Sequence, residues 1–319
     1  MVTNAVSTNK LLYYSSSGRR HQLVILLMAC LALSVGIMLP TLSIEQQFWL
    51  VIVPIGLFGL CHGGADPAIL KTLTATSQRG LIGVISLYLA ASLVFVALIW
   101  LLPVVALLLF LGLSVWHFGY TDEAFLSATK NPLLRWLSGS MAILGPMLGH
   151  PQQTSELFAW LITIETAVVL KVLVWLAPLL ALLWLFGFSY LLVSRINRPP
   201  LRVIAELFLV GASLIVLPPL LSFAFYFCAI HSIRHFLSIA EHRLLSEQKG
   251  FFKAFPVSKI LPATLGAIIM ACAAWVMLVL LEPSASLLIE AVKVMFWALA
   301  ALTLPHAIIV KLWWNRTSK

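Results

Sequence analysis

Long apolar runs with few charges inside them alternate along the chain with short polar and basic stretches. Ten runs stand out: residues 23–39, 48–70, 81–101, 103–120, 133–149, 172–193, 203–217, 220–240, 260–281 and 287–310. A helix that crosses a bilayer needs about 20 apolar residues, with a usual range of about 17 to 25. The pattern therefore predicts an all-α fold, a polytopic transmembrane bundle of about ten spanning helices. One further run, residues 157–170, is apolar but short and carries Glu165. It is expected to lie on, or dip into, the outer interface without crossing. The first run lacks a small-residue cleavage site and reads as a retained first helix. No internal repeat and no soluble domain interrupts the series.

Composition sharpens this picture. The chain has 319 residues, 61% of them hydrophobic and 10% charged, against about a quarter charged in soluble domains. The formal charge of +9 would suggest a nucleic-acid partner in a soluble protein. Here lysine and arginine mark cytoplasmic loops instead, and no nucleic-acid partner is expected. Ten crossings from a cytoplasmic N-terminus put six basic groups inside: Lys10, Arg19 and Arg20; Lys71 and Arg79; Lys130 and Arg135; Arg195, Arg198 and Arg202; Arg243, Lys249, Lys253 and Lys259; Lys311, Arg316 and Lys319. They hold 17 of the 20 basic residues. Only Lys171 and Lys293 fall outside, and Arg234 lies within the membrane. The expected organisation is a polar cytoplasmic tail (1–22), one transmembrane domain (23–311) and a second cytoplasmic tail (312–319), in a multi-pass protein of the cell (inner, cytoplasmic) membrane. The four cysteines lie in apolar segments without metal-type spacing and read as packing residues.

Five of the eight histidines fall inside the predicted spans: His62, His117, His231, His235 and His306. An ionisable side chain in a membrane interior is costly and by default functional. All five belong to even-numbered spans, which run in one direction, so their rings can converge at roughly one depth. "HSIRH" sets His231 and His235 four residues apart, on one helix face, where the pair can chelate a metal ion. The bland alternative is a set of hydrogen-bonding residues between helices. Two carboxylates follow histidines, Asp66 in "HGGAD" and Asp122 in "HFGYTD". A metal-bound imidazole usually gives its second N–H to a carboxylate or carbonyl, which suits Asp66. Asp122, beside Glu123, reads equally as such a partner or as a solvated loop start. Arg234 needs a carboxylate nearby, with Asp66 and Glu206 as candidates. Gly63, Gly64 and Gly119 would allow close helix approach. Around the histidines lie Trp116, Phe118, Tyr226 and Phe227, which either line an apolar tunnel or pack the bundle. An all-imidazole set suits Zn, Cu, Fe or Ni. Without HExxH a zinc protease is not indicated, while bis-histidine haem ligation stays open.

"GLCHGGADPAIL", "WHFGYTD", "HSIRH" and "LPHAIIV" stand in the order and rough spacing of the Brp/Blh family of integral-membrane β-carotene 15,15′-dioxygenases, which this chain resembles from about Phe58 to Val310. The resemblance implies a non-haem Fe(2+) centre on His62, His117, His231 and His235. It implies cleavage of the central double bond of β-carotene with O2, giving two all-trans-retinal, and a link to microbial rhodopsins that use retinal. His306 matches a further family histidine, its role open between substrate pocket and support of the metal shell. Cys61 and Gly64 depart from the Pro and Ala common there, without removing a ligand. Two readings from other classes stand beside this one: a histidine-lined transporter of protons or metal ions, and a b-type haem protein. The transporter reading lacks the paired broken segments of matching halves.

Overall fold

The structure, a computed structural model, describes residues 8–38, 42–74, 78–194, 198–242 and 257–317. Leu39, Arg195, Arg243, Lys249, Lys253 and Lys319, which enter the expectations above, lie outside them. The described residues are helical throughout, without strands. A short α1 (Thr8–Tyr14) precedes α2 (Ser16–Met38). The next span is composite: α3 (Ile44–Pro54), a π-helical stretch Ile55–Gly59, α4 (Leu60–Gly63) and α5 (Asp66–Leu73). Then come α6 (Gln78–Leu101), α7 (Pro103–Leu126), α8 (Pro132–Gly149), α9 (Pro151–Ile162), α10 (Thr166–Val193) and α11 (Leu201–Val216). A second composite span follows, of α12 (Pro219–Ala224), a π-helical stretch Phe225–Ser232 and α13 (Ile233–Glu241). The series closes with α14 (Val257–Leu281) and α15 (Leu287–Thr317).

Among the described residues, eight helical spans are long and apolar enough to cross a membrane, and the protein is a multi-pass membrane protein. The other two expected spans are α8 and α11, of 18 and 16 residues. At about 1.5 Å per residue they reach about 27 and 24 Å, a little short of a hydrocarbon core. Leu87 and Val94 on α6, Trp175 and Phe186 on α10, and Ile269 and Met270 on α14 are all more than two-thirds exposed. Such large apolar surfaces suit lipid, not water.

Residues 157–170 are not one interfacial helix. Their first part ends α9, with Leu157, Ala159, Leu161 and Ile162 buried. Thr163 then adopts a left-handed conformation (φ 54°, ψ 43°) that stops the helix. The second part opens α10, which is thereby 28 residues long instead of the 22 expected from residues 172–193.

Inter-helix contacts fix the relative directions. Gln22 donates to Glu206 at 2.8 Å, Ser213 donates to the Ala29 carbonyl at 3.0 Å, and Gly36 meets Val216, so α2 and α11 run parallel in register. Gly145 and Gly149 of α8 abut Leu214 and Ile215, and His150 bonds the Val216 carbonyl, so α8 ends beside the end of α11. α7 lies antiparallel to α8. A Cβ on Gly139 would meet the Val115 carbonyl and the Gly119 backbone, and one on Gly119 would meet Arg135. Gly64 abuts Ile260 and Thr264 of α14 in the same way, whereas nothing lies within 4 Å of a Cβ on Gly63. Gly64 and Gly119 serve close approach; Gly63 does not.

Two helices whose backbones touch cannot take a side chain between them without separating. Gly139→Val is expected to lower stability by about 1–3 kcal/mol or more, seen as a fall in melting temperature in detergent. Gly63→Ala serves as the control and is expected to melt within the error of the parent; equal melting of Gly139→Val would contradict the α7–α8 packing.

Candidate metal centre

α15 acts as a ruler for the site. Phe296 packs on Phe223, His306 faces His62, His117 and His235, Trp314 packs on Tyr120, and Arg316 donates to the Leu73 carbonyl. The two composite spans and α7 therefore run parallel to α15, and their five histidines meet at one level. All five are buried, with His231 and His235 at 0% exposure. One nitrogen each from His62, His117 and His231 lies within 4.8 Å of the others. His306 adjoins His62 and His117, with ring centroids 4.8 and 4.9 Å away. His235 stands 5.6 Å from His62 and 5.2 Å from His306.

Local backbone shapes this convergence. Both composite spans change to π-helical geometry next to a histidine, and the two π stretches pack on each other. Such bulges rotate the following residues and recur at functional sites. Gly59 closes the first stretch; its carbonyl accepts from His62 Nδ1–H. A Cβ there would meet the Phe227 ring at 2.6 Å, so glycine lets Phe227 sit against the histidines. His231 lies in the last turn of the second stretch and His235 in the first turn of α13.

The polar atoms of the cluster are the telling feature. His117 Nε2, His306 Nε2 and both ring nitrogens of His231 and His235 are buried without a hydrogen-bond partner. Each such group costs about 1–3 kcal/mol, and hydrocarbon offers no water to relieve it. A shared cation takes one lone pair from each of these rings, so the residues fit a bound metal ion.

Charged groups lie directly beneath. Arg234 is 1% exposed and pairs with two carboxylates: Glu206 through a hydrogen bond and Asp122 at 2.8 Å. Tyr226 donates to Asp122 and Gln22 to Glu206. Asp66 is not a partner of Arg234. It accepts instead from His306 Nδ1–H, at 2.8 and 3.0 Å, and from Tyr88 at 3.0 Å. Asp122 and Glu123 do not begin a solvated loop either. α7 continues to Leu126, both carboxylates are buried, and Glu123 pairs with Arg135.

The aromatics divide. Phe227 lies edge-on to His62 at 5.2 Å and stacks on His231 at 6.0 Å, and Phe118 sits 4.6 Å from His231. Tyr226 belongs to the carboxylate network. Trp116 stacks on Tyr120 and carries Lys311 over its ring at 5.1 Å, away from the histidines. Sequence reasoning missed Tyr88, Gly59 and Gln22. Tyr88 left a signal, as a hydroxyl inside the predicted 81–101 span; the π geometry at Gly59 left none.

Fold and site together define a polytopic helical membrane protein with a buried polyhistidine cluster fit for a metal. A family model described as beta-carotene 15,15'-dioxygenase matches residues 53–314. The chain belongs to that family. A relative, the beta-carotene 15,15'-dioxygenase of Uncultured marine bacterium 66A03, is 28% identical over 272 residues, which cover 82% of this chain and 92% of the relative. No solved structure matches.

Removing one member of a buried ion network leaves the others uncompensated, at about 3–5 kcal/mol. Arg234→Met strands two carboxylates, whereas Glu206→Gln keeps the volume and leaves Arg234 paired with Asp122. Arg234→Met is therefore expected to accumulate poorly and melt well below Glu206→Gln; a reversed order in a detergent melting series would contradict the network.

Proposed function

We propose that this protein is a non-haem Fe(II) dioxygenase that cleaves the central double bond of β-carotene with O2, giving two all-trans-retinal. Family membership supports the reaction. The observation that supports a metal is the set of buried, unpartnered imidazole nitrogens. His62, His117, His231 and His235 would hold the ion, and ferrous iron would supply the site for O2 beside an electron-rich alkene. An all-nitrogen shell suits iron among several metals; the dioxygenase family is what selects it.

The rest of the work falls to the protein's own side chains. The Gly59 carbonyl takes the Nδ1–H of His62, which leaves the Nε2 lone pair available as a ligand. Phe118 and Phe227 flank the imidazoles and present hydrocarbon surface on which a polyene can lie and from which water is excluded. Phe223, stacked on Phe227 at 5.1 Å and touching Phe296 at 5.4 Å, extends that surface along the bundle. β-Carotene dissolves in the bilayer, so an enzyme open to membrane lipid meets it without a transfer through water. Cleavage needs no strong acid or base, and Arg234 is committed to its two carboxylates. The proposed setting is the cell (inner, cytoplasmic) membrane, where a microbial rhodopsin would use the retinal. The transporter and b-type haem readings draw no support from this family.

The test is expression in cells that accumulate β-carotene, with the His231→Ala variant alongside and chromatography of the extracted polyenes. The unmutated chain is expected to bleach the cells and yield retinal, and its purified form to contain iron. His231→Ala is expected to leave the carotene intact and to lose the iron. Retinal formation at the unmutated rate by His231→Ala would overturn the assignment.

A further inference from the structure

We infer that His306, oriented by Asp66 and Tyr88, is a fifth imidazole ligand of the proposed metal site and not a wall of the substrate pocket. The inference rests on the metal reading given above and deepens it.

Three observations carry it. First, the Asp66 carboxylate engages His306 Nδ1 with both oxygens, at 2.8 and 3.0 Å, and Tyr88 donates to Oδ2 at 3.0 Å. A carboxylate acceptor fixes the tautomer with the proton on Nδ1 and leaves the Nε2 lone pair free, the arrangement commonly found behind a metal-bound imidazole. Second, His306 Nε2 is buried and has no hydrogen-bond partner. The ring lies 4.8 Å from His62, 4.9 Å from His117 and 5.2 Å from His235, centroid to centroid. It is thus in contact with three of the four proposed ligands, which come from three different spans. Third, the alternative role fails on chemistry. A hydrocarbon substrate has no hydrogen-bond donor, so a lone pair turned towards it would stay unsatisfied in a dry interior. A cation satisfies it.

Charge points the same way. Four neutral imidazoles leave a divalent ion uncompensated in its immediate shell. Asp66 is the carboxylate tied to the cluster through a single imidazole; Asp122 and Glu206 are already engaged with Arg234. Ligation by His306 places the Asp66 charge one ring away from the ion and raises the basicity of that ring. Tyr88, on α6, fixes the rotation of the carboxylate.

Cobalt(II) titration of the detergent-purified, metal-stripped protein tests this, because visible d–d bands report coordination number and geometry independently of turnover. His306→Ala is expected to weaken cobalt binding by at least about tenfold and to shift the bands. Asp66→Asn keeps the shape and removes the charge; it is expected to weaken binding by about 10–100-fold. Tyr88→Phe is expected to weaken it less and to leave the band positions alone. An unchanged affinity and spectrum in His306→Ala would overturn the inference. If that variant does not accumulate, Asp66→Asn decides by the same two readouts, parent-like values in both counting against ligation. No uptake of iron or cobalt by the unmutated protein removes the metal reading itself, whereas uptake that is identical with and without His306 removes only the fifth ligand.

Discussion

Buried imidazole nitrogens without a protein hydrogen-bond partner are the constraint around which this fold is arranged. Hydrocarbon offers such an atom no bulk water, so it must find protein, an enclosed water or a bound ion. Six such nitrogens, on His117, His231, His235 and His306, crowd the centre of the bundle. The surrounding architecture concentrates them: four spans run in parallel, each brings its histidine to the same level of α15, and two helices switch to π geometry where they reach it. Nothing in apolar packing alone rewards such crowding. On the proposed reading, a bound metal ion would take one lone pair from each ring and account for it.

The same constraint organises the second tier. Arg234 lies between His231 and His235 in sequence and is held from the other side by Asp122 of α7 and Glu206 of α11. Because Glu206 also takes the Gln22 amide, the network ties α2, α7, α11 and α13 together under the histidine cluster. Buried ion networks add little net stability against apolar replacements, but breaking one is costly. Its contribution here is positional: the span carrying His231 and His235 cannot rotate without withdrawing Arg234 from both carboxylates. Glycine contacts at Gly119 and Gly139 fix α7 against α8 in the same spirit, by removing the space that sliding would need.

Sequence alone made the histidines legible because the membrane turns polarity into information: five imidazoles in apolar runs have few innocent explanations. That the histidine-bearing spans run in one direction was legible too, from counting the apolar runs. What it left hidden is what depends on register between helices. Asp66 and Glu206 were equally eligible for Arg234, since both are acidic residues in or near a span; only the packing of α15 on α5 gives Asp66 to His306. Asp122 read equally as a partner carboxylate or as the start of a loop, because two acids follow an aromatic run; α7 carries both inward, to Arg234 and Arg135. The turn at Thr163 was invisible because a single left-handed residue breaks an apolar run without a glycine or proline to announce it. π-Helical stretches have no compositional signature, so the roles of Gly59 and Phe227 appear only in three dimensions.

A membrane-embedded centre for a hydrocarbon substrate must meet two opposed demands. The metal needs polar ligands and compensating charge; the polyene needs an apolar bed. Here the two are separated along the bundle axis. The charged groups, Asp66, Asp122, Glu206 and Arg234, gather on the side of the cluster where Trp314 and Arg316 lie on α15. Phe223, Phe227 and Phe296 extend on the opposite side, and α15 spans both, from Phe296 to Arg316 with His306 between them. On the proposed reading, a polyene approaching from the aromatic side reaches the imidazoles without passing a charge. On that same proposed reading, the field of the carboxylates would reach the metal through the rings of its ligands, and regiospecificity would come from how far the chain can slide along the aromatic surface.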